Sequence, residues 1–386
     1  GETVEDKCLE NESLLYFSTN LRFGFYQPAF RITVDHVQQM LNVTPEFISY
    51  CEHTSQRCFP WHVARWLRRT GSKFGNYAWL NYMSSPLLTL KEETMPFAGN
   101  VYTERGTVGE DTTMNHYIFA LDNWLSRFCA SKTMESTTSR VIDPSIKFGD
   151  CGLIPNWKHP YIGFSPDGLV EFKNPMSHEM MYGVAEFKTL SSELPRNKPE
   201  CRRQPSHRIP TGIKPEHWAQ VVGGIANLND RMEVQASTRG IEYTFGDLFY
   251  LQLTGLANSL PQEEIVLLNQ NTDDHTFMYE TQENYVNRGT DNIMEYCQWK
   301  RIQYNQEDWD DYLLPRIKRY HERYFLPNIV AFLNKEIGPG QVLPEVQERI
   351  LQDYARLPPQ EKLPYHKYEA EFDEFRRANA KPIPQI

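Results

Sequence analysis

The residues whose types and spacing could do chemistry lie in one segment, 161–190, which reads YIGFSPDGLVEFKNPMSHEMMYGVAEFKTL. It contains Glu-Phe-Lys twice, at 171–173 and 186–188, and Pro-Asp-Gly at 166–168. An acid and a lysine on one face of a strand can hold a divalent cation and orient a water molecule. Ordinary alternation in an amphipathic strand also produces such triplets, and Pro-Asp-Gly commonly forms only a turn.

The second triplet is the better candidate for a chemical role. A hairpin-like return across the 18 residues between Asp167 and Glu186 would bring these two carboxylates together. Glu186 and Lys188 share one face of their strand, while Phe187 lies on the other face. Two adjacent carboxylates repel each other unless a cation bridges them, and oxygen-only ligands favour Mg²⁺ or Mn²⁺. Lys188 would then polarise a water or stabilise negative charge on a phosphate.

The first triplet is less suited to the same role. Glu171 would lie roughly 13 Å from Asp167 along one strand, at ~3.3 Å per residue. Asn174-Pro175 ends that strand two residues after Phe172. We therefore expect Glu171 and Lys173 to face solvent.

Two further side chains fit the same interpretation. Gln220 lies in the predicted helix HWAQVVGGI, where Gly223 and Gly224 would allow close packing on the sheet. Glu110 lies near the start of a predicted helix at 106–128 and could supply another carboxylate. The alternatives are a capping or solvent-facing amide for Gln220, and for Glu110 an acid favoured by the helix dipole.

The elements around these residues predict one α/β domain with helical additions at both ends. We expect a helical N-terminal extension at 1–60, a core at 61–306 and C-terminal helices packed on the core at 307–386. Strand patterns occur at 139–146, 160–172, 180–189, 231–236, 248–253, 264–269 and 276–281, and one helix is predicted at 214–229.

The composition indicates a folded protein of 386 residues with 40% hydrophobic residues and a net charge of −10. Its seven cysteines form no Cys-x-x-Cys pair, which argues against a disulfide framework and a zinc site and suits a reducing compartment. The sequence has no apolar run of about 18 residues and no signal-like N-terminus. We therefore expect a soluble, intracellular protein with no membrane partner.

Two basic segments interrupt this acidic chain. Residues 53–91 contain no Asp or Glu, and residues 196–214 carry six cations against one Glu. Such segments could form a cleft that attracts phosphate, although ordinary solvated faces would look the same. The candidate DNA-contacting residues in them are Arg68, Arg69, Lys73, Arg202 and Arg203.

Five motifs in order across 61–225 resemble the PD-(D/E)XK nuclease superfamily. Within it they resemble the group of phage lambda exonuclease and YqaJ-type viral recombinases, related to herpesvirus alkaline exonuclease. The motifs are W-x3-R-x6-S from Trp61 through Arg65 to Ser72, G-x3-E from Gly106 to Glu110, S-P-D-G containing Asp167, E-x-K at Glu186 and Lys188, and HWAQV, similar to Y-x-x-Q-V, containing Gln220. The long basic loop at 191–214, the first 60 residues and the helices after 307 have no clear counterpart in the phage enzyme.

The resemblance implies a restriction-endonuclease-like core, in which helices flank a mixed central sheet. It implies a 5′→3′ exodeoxyribonuclease that acts on double-stranded DNA ends in viral or phage-type recombination. The implied catalytic residues are Asp167, Glu186, Lys188 and Gln220, and one or two Mg²⁺ or Mn²⁺ ions would be held by Glu110, Asp167, Glu186 and the Phe187 carbonyl. The implied location is the cytoplasm of a bacterial host, or the nucleus or cytoplasm for a eukaryotic virus.

The resemblance also assigns Arg65 and Ser72 to a pocket for the DNA 5′-phosphate. The alternative for Arg65 is an ion pair with an acid on a neighbouring helix. The implied partner is a single-strand annealing protein. The resemblance leaves open whether the chain forms a homo-oligomer, since the lambda enzyme is a ring trimer and herpesvirus enzymes are not. An endonuclease, an RNA-cleaving enzyme and a non-catalytic DNA-binding scaffold remain alternative functions.

Overall fold

Ten strands and a set of helices make up the part of the chain that the computed structural model describes, namely residues 29–80, 86–95, 113–114, 117–118, 121–122, 146–174, 177–191, 213–238, 240–254, 276–280, 284–288 and 291–358. The strands are β1 (Arg69–Thr70), β2 (Lys147–Gly149), β3 (Ile154–Pro155), β4 (Ile162–Phe164), β5 (Gly168–Lys173), β6 (Met180–Ser191), β7 (Tyr243–Thr254), β8 (Thr276–Glu280), β9 (Asn284–Arg288) and β10 (Asp291–Gln303).

The helices are α1 (Val34–Met40), α2 (Pro45–Glu52), α3 (Phe59–Trp66), α4 (Phe74–Ala78), α5 (Pro86–Glu93), α6 (Pro215–Arg231), α7, made of the consecutive segments Asp308–Leu313, Leu314–Tyr320, His321–Phe325 and Leu326–Leu333, and α8 (Pro344–Arg356). Positions 113–114, 117–118 and 121–122 are also helical. Helix α2 is capped at its N-terminus: Thr44 Oγ1 accepts a hydrogen bond from the amide of Phe47, 3.1 Å away, and Pro45 opens the helix.

The larger sheet is mixed and has the order β2-β5-β6-β7-β10-β8, with β9 also paired to β10. The pair β6–β7 is parallel, whereas the other pairs are antiparallel. A parallel pair requires a crossover connection, and α6 lies between β6 and β7 in the chain. A smaller sheet has the order β1-β4-β3. The protein is therefore of the mixed α/β class.

Helix α6 and sheet strands share the main core, in which Trp218, Val222 and Ile225 contact the same buried cluster as Val184 on β6. The prediction that Gly223 and Gly224 allow close packing on a sheet is confirmed for Gly224, which faces β4 of the smaller sheet, whereas Gly223 faces α4. A Cβ atom at Gly224 would lie 2.3 Å from the Phe164 ring, and one at Gly223 would lie 2.4 Å from the Phe74 ring. These glycines therefore make room for aromatic rings of β4 and α4.

The opposite face of the larger sheet carries a second aromatic cluster. Tyr117 and Leu121 come from the predicted helix at 106–128 and are fully buried in this cluster. Phe172, Phe187 and other sheet residues complete the cluster. The two faces of the sheet are thus both covered in the described structure.

One expectation about secondary structure needs correction. The predicted strand at 231–236 is absent, because Arg231 ends α6 and residues 236–238 form a short 3₁₀ turn. In α7, the prolines at 315 and 327 do not break the helix. Each follows a segment with the wider π-type turn, which accommodates the missing proline N–H and the clash of its ring with the preceding turn.

The predicted boundaries at 60/61 and 306/307 stay predictions. Val37 of α1 and Ile317 of α7 contact the same buried cluster as Val184 of β6. Within the described ranges, no helix is both long enough and apolar enough to cross a membrane.

Candidate active site

The structure brings Asp167 and Glu186 together at the start of β5. Strands β5 and β6 pair in the register Gly168↔Ala185, so one further step places Asp167 beside Glu186. The Asp167 carboxylate accepts a hydrogen bond from the amide of Phe187 at 2.7 Å. This contact fixes the aspartate on the strand that carries the second triplet.

Gln220 joins the two functional side chains of that triplet. Its Oε1 accepts a hydrogen bond from Lys188 Nζ at 2.7 Å, and its Nε2 donates to Glu186 Oε2 at 3.0 Å. Both bonds use a buried amide on α6. The amide is therefore neither a cap nor solvent-facing, and it holds the acid and the lysine in fixed relative positions.

Glu186 is an incompletely satisfied carboxylate in the interior. It is 1% exposed, and its Oε1 atom has no hydrogen-bond partner among the described residues. Burial and the neighbouring Asp167 carboxylate raise the pKa of Glu186 well above its ordinary value, while Lys188 opposes the change. A buried oxygen without a donor is costly, and a divalent cation would satisfy it.

The first triplet lies apart from this group. Glu171 and Lys173 pair with Tyr182 and Met180, at the other end of the β5–β6 ladder from Asp167. Lys173 is exposed, and Glu171 lies 3.5 Å from Lys147 Nζ. The structure thus separates the two triplets as their spacing predicts.

The segment that carries Arg65 also contacts the candidate site. Trp61 Nε1 donates to Ser165 Oγ at 3.0 Å, two residues before Asp167. The Arg65 guanidinium lies 4.0 Å from the centre of the Trp61 ring, and Arg65 Nη2 donates to Thr70 Oγ1 at 3.3 Å. Burial lowers the pKa of Arg65 to about 10, so it is still a cation at neutral pH.

Ser72 is exposed in the 3₁₀ turn Gly71–Lys73. A Cβ atom at Gly71 would lie 2.6 Å from the Phe164 ring and 3.6 Å from Gln220 Cγ. The turn therefore packs against the helix that supplies Gln220. This places the predicted phosphate-binding serine on a segment adjoining the candidate site.

Arg68 and Arg69 are interior side chains, which corrects the expectation that they contact DNA. Arg68 is 5% exposed and Arg69 is 0% exposed. Arg68 donates to the carbonyls of Ala64 and Leu41, at 2.8 and 3.1 Å. Arg69 pairs with Glu93 and lies with its guanidinium 3.4 Å from the centre of the Phe325 ring.

Of the remaining predicted side chains, only Lys73 lies in the part of the chain that the structure describes. Lys73 is half-buried and pairs with Glu92. Glu110, Arg202 and Arg203 lie outside the described residues. Among the residues that are described, no three His, Cys, Asp or Glu side chains converge as a metal-binding group. The role of the Phe187 carbonyl as a ligand stays a prediction.

His217 and Tyr250 extend the site in a way that sequence reasoning missed. Tyr250 is the neighbour of Lys188 across β6 and β7, and its hydroxyl lies 2.5 Å from His217 Nδ1. Burial lowers the pKa of His217 well below its ordinary value, and the cations of Lys188, Lys214 and Lys300 add to the effect. The available signal was the position of His217 three residues before Gln220, on the same face of the helix.

Comparison with known proteins gives no family for this chain: no protein-family model matches it, and no curated protein matches it.

Proposed function

We propose that the protein is a metal-dependent nuclease of the PD-(D/E)XK type that hydrolyses double-stranded DNA from its ends. The observation that carries the proposal is the buried group of Asp167, Glu186, Lys188 and Gln220. It combines two adjacent carboxylates, a lysine and an amide that orients the lysine. The mixed sheet that bears the group supports the proposed core.

The donor set fits Mg²⁺ or Mn²⁺. The Asp167 and Glu186 carboxylates offer hard oxygen ligands, and the orphaned Oε1 of Glu186 is buried beside Asp167. Glu110 and the Phe187 carbonyl would complete the ligands in this proposal. When bound, the metal would lower the pKa of a water molecule and neutralise charge on the phosphate.

Lys188 would orient the attacking water and stabilise the negative charge that develops on the phosphate oxygens. Gln220 prevents the ammonium from rotating freely, because its Oε1 already accepts one of the lysine's three N–H groups. The water oxygen adds to the phosphorus and loses a proton to solvent, the P–O bond to the leaving nucleotide breaks, and the leaving oxygen takes up a proton from solvent.

Arg65 and Ser72 would form the pocket that selects a terminal 5′-phosphate. Such a group carries more charge than an internal phosphodiester, and guanidinium and hydroxyl donors both prefer it. Within the described part of the chain, Arg65 contacts a hydroxyl and an aromatic ring, and no ion pair with an acid is present. In this proposal the enzyme works in viral or phage-type recombination, with a single-strand annealing protein and as a homo-oligomer.

The proposal is tested with end-labelled linear and circular DNA duplexes and an RNA of the same sequence, each incubated with and without Mg²⁺. We expect nucleotides to leave the 5′ ends of the linear duplex only when Mg²⁺ is present. Cleavage of the circle would indicate an endonuclease, and cleavage of RNA alone would indicate a ribonuclease. Binding of DNA without cleavage under any metal would indicate a scaffold.

The end-recognition step has its own test. The parent should degrade a 5′-phosphorylated duplex faster than a 5′-hydroxyl duplex, and Arg65→Ala should lose most of this preference. Its Mg²⁺ affinity should not change, because Arg65 contacts Thr70 and Trp61 and not the carboxylates. A parent with no preference would leave Arg65 with a structural role and favour the endonuclease.

A further inference from the structure

Gln56 joins two stretches of backbone directly beside the candidate active site. Its Nε2 donates to the carbonyl of Cys151 at 2.7 Å and to the carbonyl of Pro166 at 2.8 Å. Pro166 immediately precedes Asp167. The amide therefore uses one N–H group to hold the peptide that leads into this aspartate and the other to tie that peptide to the backbone at Cys151.

The turn that presents Gln56 is itself held tightly against Gly152. The amide of Gly152 donates to the carbonyl of Glu52 at 2.8 Å. A Cβ atom at Gly152 would lie 2.2 Å from the carbonyl oxygen of Cys51 and 2.3 Å from that of Thr54. Only glycine permits this approach, so the end of α2 and the turn after it have a fixed position beside Cys151.

The backbone next to Gln56 is in an unfavourable conformation. Arg57 has a φ of 68°, in the left-handed region that costs a non-glycine residue on the order of 1 kcal/mol or more. Such a residue persists where the surrounding structure holds it. The turn thus retains a strained residue directly after the one that reaches Pro166.

We propose that Gln56 is a positioning residue for Asp167, which sets the direction of this carboxylate toward the metal. The inference rests on the proposed metal site and adds to it a residue outside the five sequence motifs. Asp167 is held on one side by the amide of Phe187. Gln56 holds the peptide on its other side through Pro166, and Trp61 holds Ser165 before it.

Removing the two donors of Gln56 should release the Ser165–Pro166 segment without removing any metal ligand. The Pro166 carbonyl would turn to other donors, and the Asp167 backbone would turn with it. Partners that orient a ligand in this way typically contribute about 10–100-fold in metal affinity. We therefore expect Gln56→Met to weaken Mn²⁺ binding by about tenfold.

The experiment measures Mn²⁺ binding by calorimetry for the full chain, with urea unfolding in EDTA as a separate readout. Asn334→Leu is the matched control, because Asn334 is also a half-buried amide that bonds two carbonyls, those of Ile32 and Val330, at 2.8 and 3.0 Å. Both substitutions should lower stability, but only Gln56→Met should weaken the Mn²⁺ affinity. Gln56→Asn keeps a polar amide that is too short to reach both carbonyls, and it should show the same loss.

The outcomes separate the inference from the proposed function. A parent that binds no Mn²⁺ would overturn both. A parent that binds Mn²⁺, with unchanged affinity in the two Gln56 variants, would overturn the positioning role alone. An equal loss of affinity in Asn334→Leu would also overturn it, since the effect would then follow from general destabilisation.

Discussion

Two buried carboxylates, Asp247 and Glu186, occupy adjacent rows of the larger sheet on opposite faces, and they have different hydrogen-bond partners. One row aligns Ala185, Asp247 and Arg301, and the next aligns Glu186, Leu248 and Lys300. Asp247 is 0% exposed and Glu186 is 1% exposed. Burial is therefore the same for both, and the difference lies in their partners.

Asp247 has a partner for each of its oxygens. Arg301 donates from Nε to Oδ1 at 2.7 Å and from Nη2 to Oδ2 at 2.9 Å. The hydroxyl of Tyr117 donates to Oδ2 at 2.6 Å. A two-pronged arginine bond of this kind is the strong form of the buried ion pair, and such completeness is typical of a structural role.

Among the residues that the structure describes, Glu186 has one hydrogen-bond donor, Gln220, and a second carboxylate, Asp167, lies nearby. An arrangement that leaves an acid short of donors beside another acid costs stability, and natural proteins retain such costs chiefly at functional sites. The comparison thus separates a charge that stabilises the fold from one that is available to a ligand. Each of the following substitutions concerns either Glu186 or Asp247 and the residues around it.

The largest effect is expected on the rate of DNA hydrolysis, from substitutions of Glu186 and Lys188. Glu186→Gln and Lys188→Ala should each lower the rate of DNA hydrolysis by several orders of magnitude, because each removes a group that acts at the transition state. The free energy of unfolding of Glu186→Gln should stay within about 1 kcal/mol of the parent, since an amide needs no counterion. Single-turnover assays and urea unfolding in EDTA measure the two quantities.

The first triplet supplies the matched control. Glu171→Gln and Lys173→Ala should retain activity within about tenfold, because these side chains lie at the far end of the β5–β6 ladder. If they lose activity while Glu186→Gln and Lys188→Ala keep it, the assignment of the triplets is reversed.

Substitutions around Asp247 should lower the free energy of unfolding. Arg301→Met leaves the carboxylate buried without its counterion and should lower the free energy of unfolding by about 3–5 kcal/mol. The hydrolysis rate per folded molecule should change little, because the arginine faces away from Glu186 and Lys188. A loss below about 1 kcal/mol in urea unfolding would mean that Asp247 is not the structural counterpart it resembles.

A smaller change on the same side is Tyr117→Phe. It keeps the ring packing, with centroids 5.6 Å from those of Phe187 and Phe249, and removes only the hydroxyl. Hydrogen bonds to charged groups contribute about 1.5–3 kcal/mol, and Arg301 continues to satisfy Oδ2, so we expect a loss of about 1.5 kcal/mol in urea unfolding. A loss as large as that of Arg301→Met would show that the hydroxyl and the arginine act as one unit.

The same pair of rows explains what the sequence could and could not predict. The local pattern predicted β6 and the meeting of Asp167 with Glu186. The single strand expected at 160–172 is wrong, because that segment forms two strands, β4 and β5, which belong to different sheets. Strand β10 was missed, since consecutive residues Lys300 and Arg301 are both buried and polar–apolar alternation fails when both faces are covered. Helix α6 ends at Arg231, two residues beyond the predicted end at 229. Arg231 pairs with Glu52, which is 179 positions away in the sequence.

The candidate site shows the same limit. Gln220 was identified from a motif, and its bonds to both side chains of the triplet follow from the position of α6 over β6. Gln56, His217 and Tyr250 were missed, because their contacts join segments that are distant in sequence. Arg68 and Arg69 were misassigned, because a basic run indicates charge and does not indicate which cations the fold buries.

The smallest expected change in the free energy of unfolding comes from Asp167→Asn. An asparagine Oδ1 can still accept the bond from the Phe187 amide, while the charge that raises the pKa of Glu186 disappears. In EDTA we therefore expect the free energy of unfolding to rise, by less than about 1 kcal/mol. Mg²⁺ should reverse the order, because ligand at about 100 times its Kd stabilises the parent by ~2.7 kcal/mol and a variant with weaker binding by less. Urea unfolding of both proteins with EDTA and with Mg²⁺ measures the effect. Equal stabilisation of the two by Mg²⁺ would mean that Asp167 is a turn residue like any other Pro-Asp-Gly, and the contrast between Glu186 and Asp247 would then have no connection with metal.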